Sequence, residues 1–183
     1  MRLLGLLVGL VLISALPARA EFRDEDVAQI RIAPTPELAA RYPIRRGVQV
    51  NDLGGGVIIA QSDSIIFGAS KTTDKPYGWF SYQTNDRGPF SYEAARDFIQ
   101  MLSDFRGATI SDKADLGKIE GALGEVEVVK FKALRGNVER SCASWRGYQN
   151  GNRTLLTGYA CAAVDGQVSA ELLEEALKGI VKR

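Results

Sequence analysis

The sequence predicts an α+β domain: a single antiparallel sheet with two main amphipathic helices packed on one face. Three observations predict it. Short β-branched and aromatic runs recur between turn residues, two stretches opened by Ser carry apolar residues at helical spacing, and the chain has ordinary globular proportions, with 45% hydrophobic and 25% charged residues over 183 positions. Each predicted helix follows about three strands, an order compatible with two βββα units.

The elements follow in chain order. Arg2, an apolar run over residues 3–16, Pro17 and Ala18-Arg19-Ala20 form a cleavable signal peptide cut before Glu21. As a helix that run spans about 21 Å, short of the roughly 30 Å of a bilayer core, so an uncleaved anchor fits less well. Residues 21–183 then form a single domain, since 163 positions hold one core and leave little room for a second. Residues 21–26 are a charged lead-in, and Val27, Ile30 and Ile32 suggest an edge strand before Pro34. Thr35-Pro36-Glu37 has the order of a cap followed by Pro in the first turn, opening a short helix that ends by Pro43. Gly54-Gly55-Gly56 is a flexible turn, and the runs at residues 57–60 and 65–67, with polar residues 61–64 between them, suggest a hairpin. A further strand is expected within residues 77–83.

The first main helix is expected from Ser91, with Tyr92, Ala95, Phe98, Ile99, Leu102 and Phe105 on its apolar stripe and Gly107 closing it. Residues 111–115 are a polar connection, and strands are expected at residues 126–134, 137–148 and 153–164. The second main helix begins at Ser169 and carries Leu172, Leu173, Ala176, Leu177, Ile180 and Val181 inward. Cys142 and Cys161 flank the turn residues Gln149-Asn150-Gly151-Asn152. If facing residues sum to 303, Cys142 opposes Cys161 and Trp145 opposes Gly158, a large ring covering a cross-strand Gly. A two-residue Asn150-Gly151 turn gives 301 instead and makes the cysteines diagonal neighbours. In an exported chain the pair is expected as a structural disulfide, because oxidising compartments let it persist. Eighteen intervening residues and no His argue against a redox-active dithiol.

The segment Cys142-Ala143-Ser144-Trp145, followed by Gly158-Tyr159-Ala160-Cys161-Ala162 and a C-terminal amphipathic helix, resembles a group of small exported alphaproteobacterial proteins of unknown function. The resemblance covers about the last 45 residues and implies a periplasmic home, with no activity or site residues attached.

Composition eliminates many chemistries. With 23 Lys+Arg against 22 Asp+Glu there is no electrostatic drive toward nucleic acid, and no membrane span is expected in the mature form. The absence of His removes Ser-His-Asp and Cys-His nucleophile systems and the commonest zinc ligand. No Ser has Lys three residues later, and no phosphate loop or calcium-loop spacing occurs, so no catalytic, cofactor or metal residue is assigned. The expected function is an exported, periplasmic or secreted, non-enzymatic domain that binds a protein or small ligand of the cell envelope. The alternative is a carboxylate-dependent hydrolase acting on an envelope polysaccharide, for which Asp52, Asp63, Asp86 and Glu120 are open candidates. The candidate partner-binding residues are Tyr77, Trp79, Tyr82 and Arg87. Tyr77, Trp79, Phe80, Tyr82 and Phe90 place five of fifteen aromatics within fourteen residues, too dense for chance. One reading is a strand buried on both sides; the other leaves Trp79 or Tyr82 exposed as an anchor.

Overall fold

The computed structural model describes residues 31–52, 58–69 and 74–183. The expected signal peptide and charged lead-in, Val27, Ile30 and Gly54-Gly55-Gly56 lie outside the described residues. The elements are β1 (Ile32–Pro34), α1 (Pro36–Arg41), β2 (Ile44–Asp52), β3 (Ile58–Phe67), β4 (Tyr77–Asn85) and α2 (Ala95–Phe98). Two single 3-10 turns (Ile99–Met101 and Ser103–Phe105) follow α2. After them come β5 (Thr109–Gly121), β6 (Gly124–Arg135), β7 (Val138–Gln149), β8 (Thr154–Cys161), α3 (Ala170–Lys178) and β9 (Ile180–Lys182).

Seven strands form one antiparallel sheet in the order β2-β3-β4-β8-β7-β6-β5. It consists of a three-stranded and a four-stranded meander joined where β4 pairs β8. β1 and β9 form a separate two-stranded ribbon. The described residues are therefore mostly strand, with only short helices, which corrects the expected α+β class with two main helices and two βββα units.

The helices also lie on opposite faces of the sheet rather than on one. Alternate strand residues point to opposite sides. Ile65, Phe67, Phe80, Tyr82, Leu156, Ala160, Ala143, Trp145, Val126 and Val128 pack with Leu38 of α1 and with Leu172, Leu173, Ala176 and Leu177 of α3. The opposite face gathers Tyr77, Tyr159, Val129, Phe131 and Ala133 under Ala95, Ile99, Leu102 and Phe105. Each helical stripe is too narrow to cover a seven-stranded sheet alone, and a central sheet apolar on both sides needs cover on both.

Capping signals at α1 and α3 act as their residue order requires. Thr35 Oγ1 accepts from the Leu38 N–H and Ser169 Oγ from the Leu172 N–H, at 3.3 and 3.1 Å. The helix expected from Ser91 is different. Its N-cap is Ala94, without a side-chain cap, and α2 lasts only four residues. The Tyr148 hydroxyl accepts from the Glu93 N–H and lies within hydrogen-bond reach of the Ser91 and Glu93 carbonyls. That holds the approach to α2 extended, because these backbone groups find their partner outside a helix. Leu102 is extended between the two 3-10 turns, and the looser path still brings Phe105 into edge contact with Phe131 and Tyr159. Ile180 and Val181, expected on the last helix, instead begin the ribbon strand after the cap at Gly179.

Residues 58–67 form one strand, not a hairpin. Their polar centre is accommodated because Asp63, 1% exposed, accepts from the Arg31 backbone N–H at 2.8 Å and from Arg31 Nε at 3.3 Å. Gln61 Nε2 also donates to Asp63. Arg31 further bonds Thr84 Oγ1 and the Gln61 carbonyl and lies over the Tyr82 ring. A buried carboxylate thus fastens the start of the ribbon to the sheet. β2, over residues to which the sequence assigns no element, and β5, which runs through the polar stretch at residues 111–115, are the two edges of the sheet.

The β7–β8 hairpin has the register whose facing residues sum to 303: Cys142 opposes Cys161, Ala143 opposes Ala160 and Trp145 opposes Gly158. Cys142 and Cys161 are joined by a disulfide. Among the described residues no helix is long and apolar enough to cross a membrane.

Candidate functional site

The register of the sheet lines up one residue from each of four strands. Arg45 opposes Ile66, Ile66 opposes Trp79, and Trp79 opposes Tyr159. All four lie on the face that carries α2, and the row beside them holds Tyr77, Cys161, Cys142 and Phe131. α2 and its 3-10 turns cover the β8–β7–β6 part of this face. They leave the β2–β3–β4 part less covered: Ser62, Ser64 and Ile66 are half-buried there, while Asp63, Ile65 and Phe67 on the other face are buried.

At this boundary lies a cavity of about 420 Å³. The sheet supplies Arg45, Ile66, Tyr77, Trp79 and Tyr159; the helical wall supplies Phe98, Met101, Leu102, Ser103 and Asp104. Trp79 is half-buried and leans on the Tyr159 ring at 6.2 Å, with Tyr77 edge-on to the same ring at 6.0 Å. The disulfide beside them fixes β7 against β8 beneath these rings. Met101, 63% exposed, stands at the rim.

Two charges flank the apolar floor. Asp104 is exposed at the rim, yet its carboxylate accepts a hydrogen bond from the buried Tyr159 hydroxyl. Burial raises the Asp104 pKa above the usual carboxylate value, with Arg135 and Arg45 opposing the shift. The Tyr77 hydroxyl is likewise raised, mainly by burial. Arg45 is exposed and sits in no ion pair among the described residues. The arrangement can take an apolar or aromatic group against Trp79 and Ile66, and can hold a charged or hydrogen-bonding group at the rim.

Next to the cavity the helical wall rests on a buried cation. Arg146, 8% exposed, donates through Nε to the Tyr148 hydroxyl at 2.7 Å and lies 4.2 Å from the Phe98 ring centroid. Its Nη1 pairs with Glu93 at 3.1 Å, though without hydrogen-bond geometry. Phe98 is therefore held between this guanidinium and the cavity.

Of the residues singled out from the sequence, Tyr77 and Trp79 line the cavity. Tyr82 does not: it is buried on the opposite face, beneath Arg31 and Lys182. Arg87 stands exposed in the bend after β4, away from the cavity lining. Sequence reasoning missed Arg45, Ile66, Asp104 and Tyr159. Tyr159 was legible in part, since the hairpin register put it on the cystine face. The pairing of β4 with β8 joins residues as distant in sequence as Tyr77 and Cys161, and no local pattern announces it.

Among the described residues, no cluster of three His, Cys, Asp or Glu could hold a metal ion. Comparison with protein-family models, curated proteins and solved structures finds no match to this chain.

Proposed function

We propose that this is an exported, periplasmic, non-enzymatic binding domain whose site is the cavity at Trp79. The observation that carries the reading is the half-open aromatic floor itself. Trp79 and Ile66 remain partly uncovered beside a helical wall, next to Ile65, Phe67, Phe80 and Tyr159, which are buried. Large rings with a polar rim are what ligand and partner sites favour, because they bring much contact area at little conformational cost. The disulfide supports export, since such bonds persist in oxidising compartments. The N-terminal sequence supports cleavage before Glu21. A hydrolase of the two-carboxylate kind draws no support from this cavity, whose lining contains one carboxylate, Asp104.

A fragment screen by ligand-observed NMR tests the proposal, using aromatic acids, aliphatic amides and short peptides. The expected result is a set of hits that bind the native protein and lose binding to Trp79→Ala while that variant keeps its melting temperature. Hits that bind Trp79→Ala unchanged would overturn the assignment.

A further inference from the structure

The sheet has two edges, and they are built differently. β5 is interrupted: its register with β6 shifts between Ser111 and Ala114 and again between Asp115 and Gly117, with Asp112 and Gly117 in left-handed conformations at φ 52° and 78°. Bulges of this kind prevent strand pairing at an exposed edge. β2 keeps a continuous register with β3 from Ile44 to Asn51, has no Pro within it, and pairs with no strand on its outer side among the described residues.

β2 also contains a glycine that the fold does not explain. A Cβ at Gly78 would lie 2.6 Å from Phe67 Cε1, and one at Gly158 would lie 2.6 Å from Trp145 Cζ2, so those glycines are required by packing. At Gly47 a Cβ would meet nothing within 4 Å, and its φ is not positive. A glycine inside a strand weakens it, and one without an internal reason marks the close approach of something else. Gly47 opposes Ser64 on the cavity face, one row from Arg45, Ile66 and Trp79. It leaves that position of the sheet edge without a side chain, two residues from Arg45, which lines the cavity. Arg45 and Arg46 beside it are exposed and in no ion pair among the described residues.

From these features we infer that the outer edge of β2 receives an extended, acidic polypeptide segment by strand addition. One large apolar side chain of that segment crosses Gly47 toward Ile66 and Trp79. Backbone pairing would supply affinity, the cavity side-chain selectivity, and Arg45 and Arg46 the preference for acidic residues. The same two arginines oppose pairing between the β2 edges of two copies. The inference rests on the cavity being a binding site and names the class of its ligand.

Selection of short random displayed peptides against the disulfide-bonded protein tests it. The enriched sequences should alternate acidic and bulky apolar residues, and their binding should slow amide exchange along β2. Gly47→Val should weaken them about tenfold, a loss of about 1.4 kcal/mol, while its melting temperature stays level or rises. Arg45→Glu with Arg46→Glu should reverse the charge preference. Peptides that need Trp79 but ignore Gly47→Val and leave β2 exchange unchanged would overturn strand addition and keep the cavity. Failure to enrich any peptide would do the same, provided the fragments still bind at Trp79. Basic consensus sequences, or a dimer joined through β2, would also overturn it.

Discussion

At the scale of single residues, the two tryptophans separate binding from folding. Trp145 is fully buried across from Gly158, whereas Trp79 faces the cavity. Trp145→Ala should cost about 3–5 kcal/mol in urea unfolding, the range for emptying a large core site. Trp79→Ala should cost much less and act on binding instead. Gly158→Ala should be destabilising by about 1–3 kcal/mol, because the added methyl meets the Trp145 ring and the Trp79 carbonyl in a packed interior. Asp104 supplies a pH test. Its folded pKa is raised, so the native state holds a proton that the unfolded chain releases. Its contribution is fully present below the ordinary carboxylate range and is lost as pH rises through the raised value. Stability of the native protein against Asp104→Asn should therefore diverge across that window, with the native protein losing ground as pH rises. Parallel pH dependence of the two would contradict a raised pKa at this carboxyl.

At the scale of elements, local signals were legible where one residue's chemistry decides the structure. Thr35 with Pro36, and Ser169, mark helix starts that the fold uses, and Trp145 over Gly158 pointed to the hairpin register. The signals failed where the deciding partner is distant. Residues 61–64 resemble a turn until Arg31 arrives to satisfy Asp63. Ser91 resembles an N-cap until the Tyr148 hydroxyl takes the Glu93 N–H. The edge strand β5 is too polar to carry an alternating pattern. The Arg31–Asp63 pair also predicts a behaviour. Asp63→Ala should destabilise by about 3 kcal/mol, since it strands a partly buried cation and two donors. The loss should appear first as faster amide exchange in β1 and β9, with β7 and β8 protected. Uniform loss across all strands would contradict a local fastening role.

At the scale of the whole molecule, one central hairpin serves both faces. β7 and β8 present Ala143, Trp145 and Ala160 to α3, and Cys142, Tyr159 and Cys161 to the wall of the cavity. The disulfide closes a loop with a sequence separation of 19, and reducing it should lower stability by about 3 kcal/mol on the chain-entropy view. Intact stability after full reduction would contradict that role. The central claim is that the Trp79 face is open and is where ligands bind. The two indole N–H resonances of the chain test it most directly, in the presence of a soluble paramagnetic relaxation agent and then of a bound fragment or selected peptide. The account expects the Trp79 resonance to broaden with the agent and to shift and regain protection with ligand, while the Trp145 resonance stays unchanged throughout. Equal protection of both indoles, or ligand shifts that bypass Trp79, would contradict it.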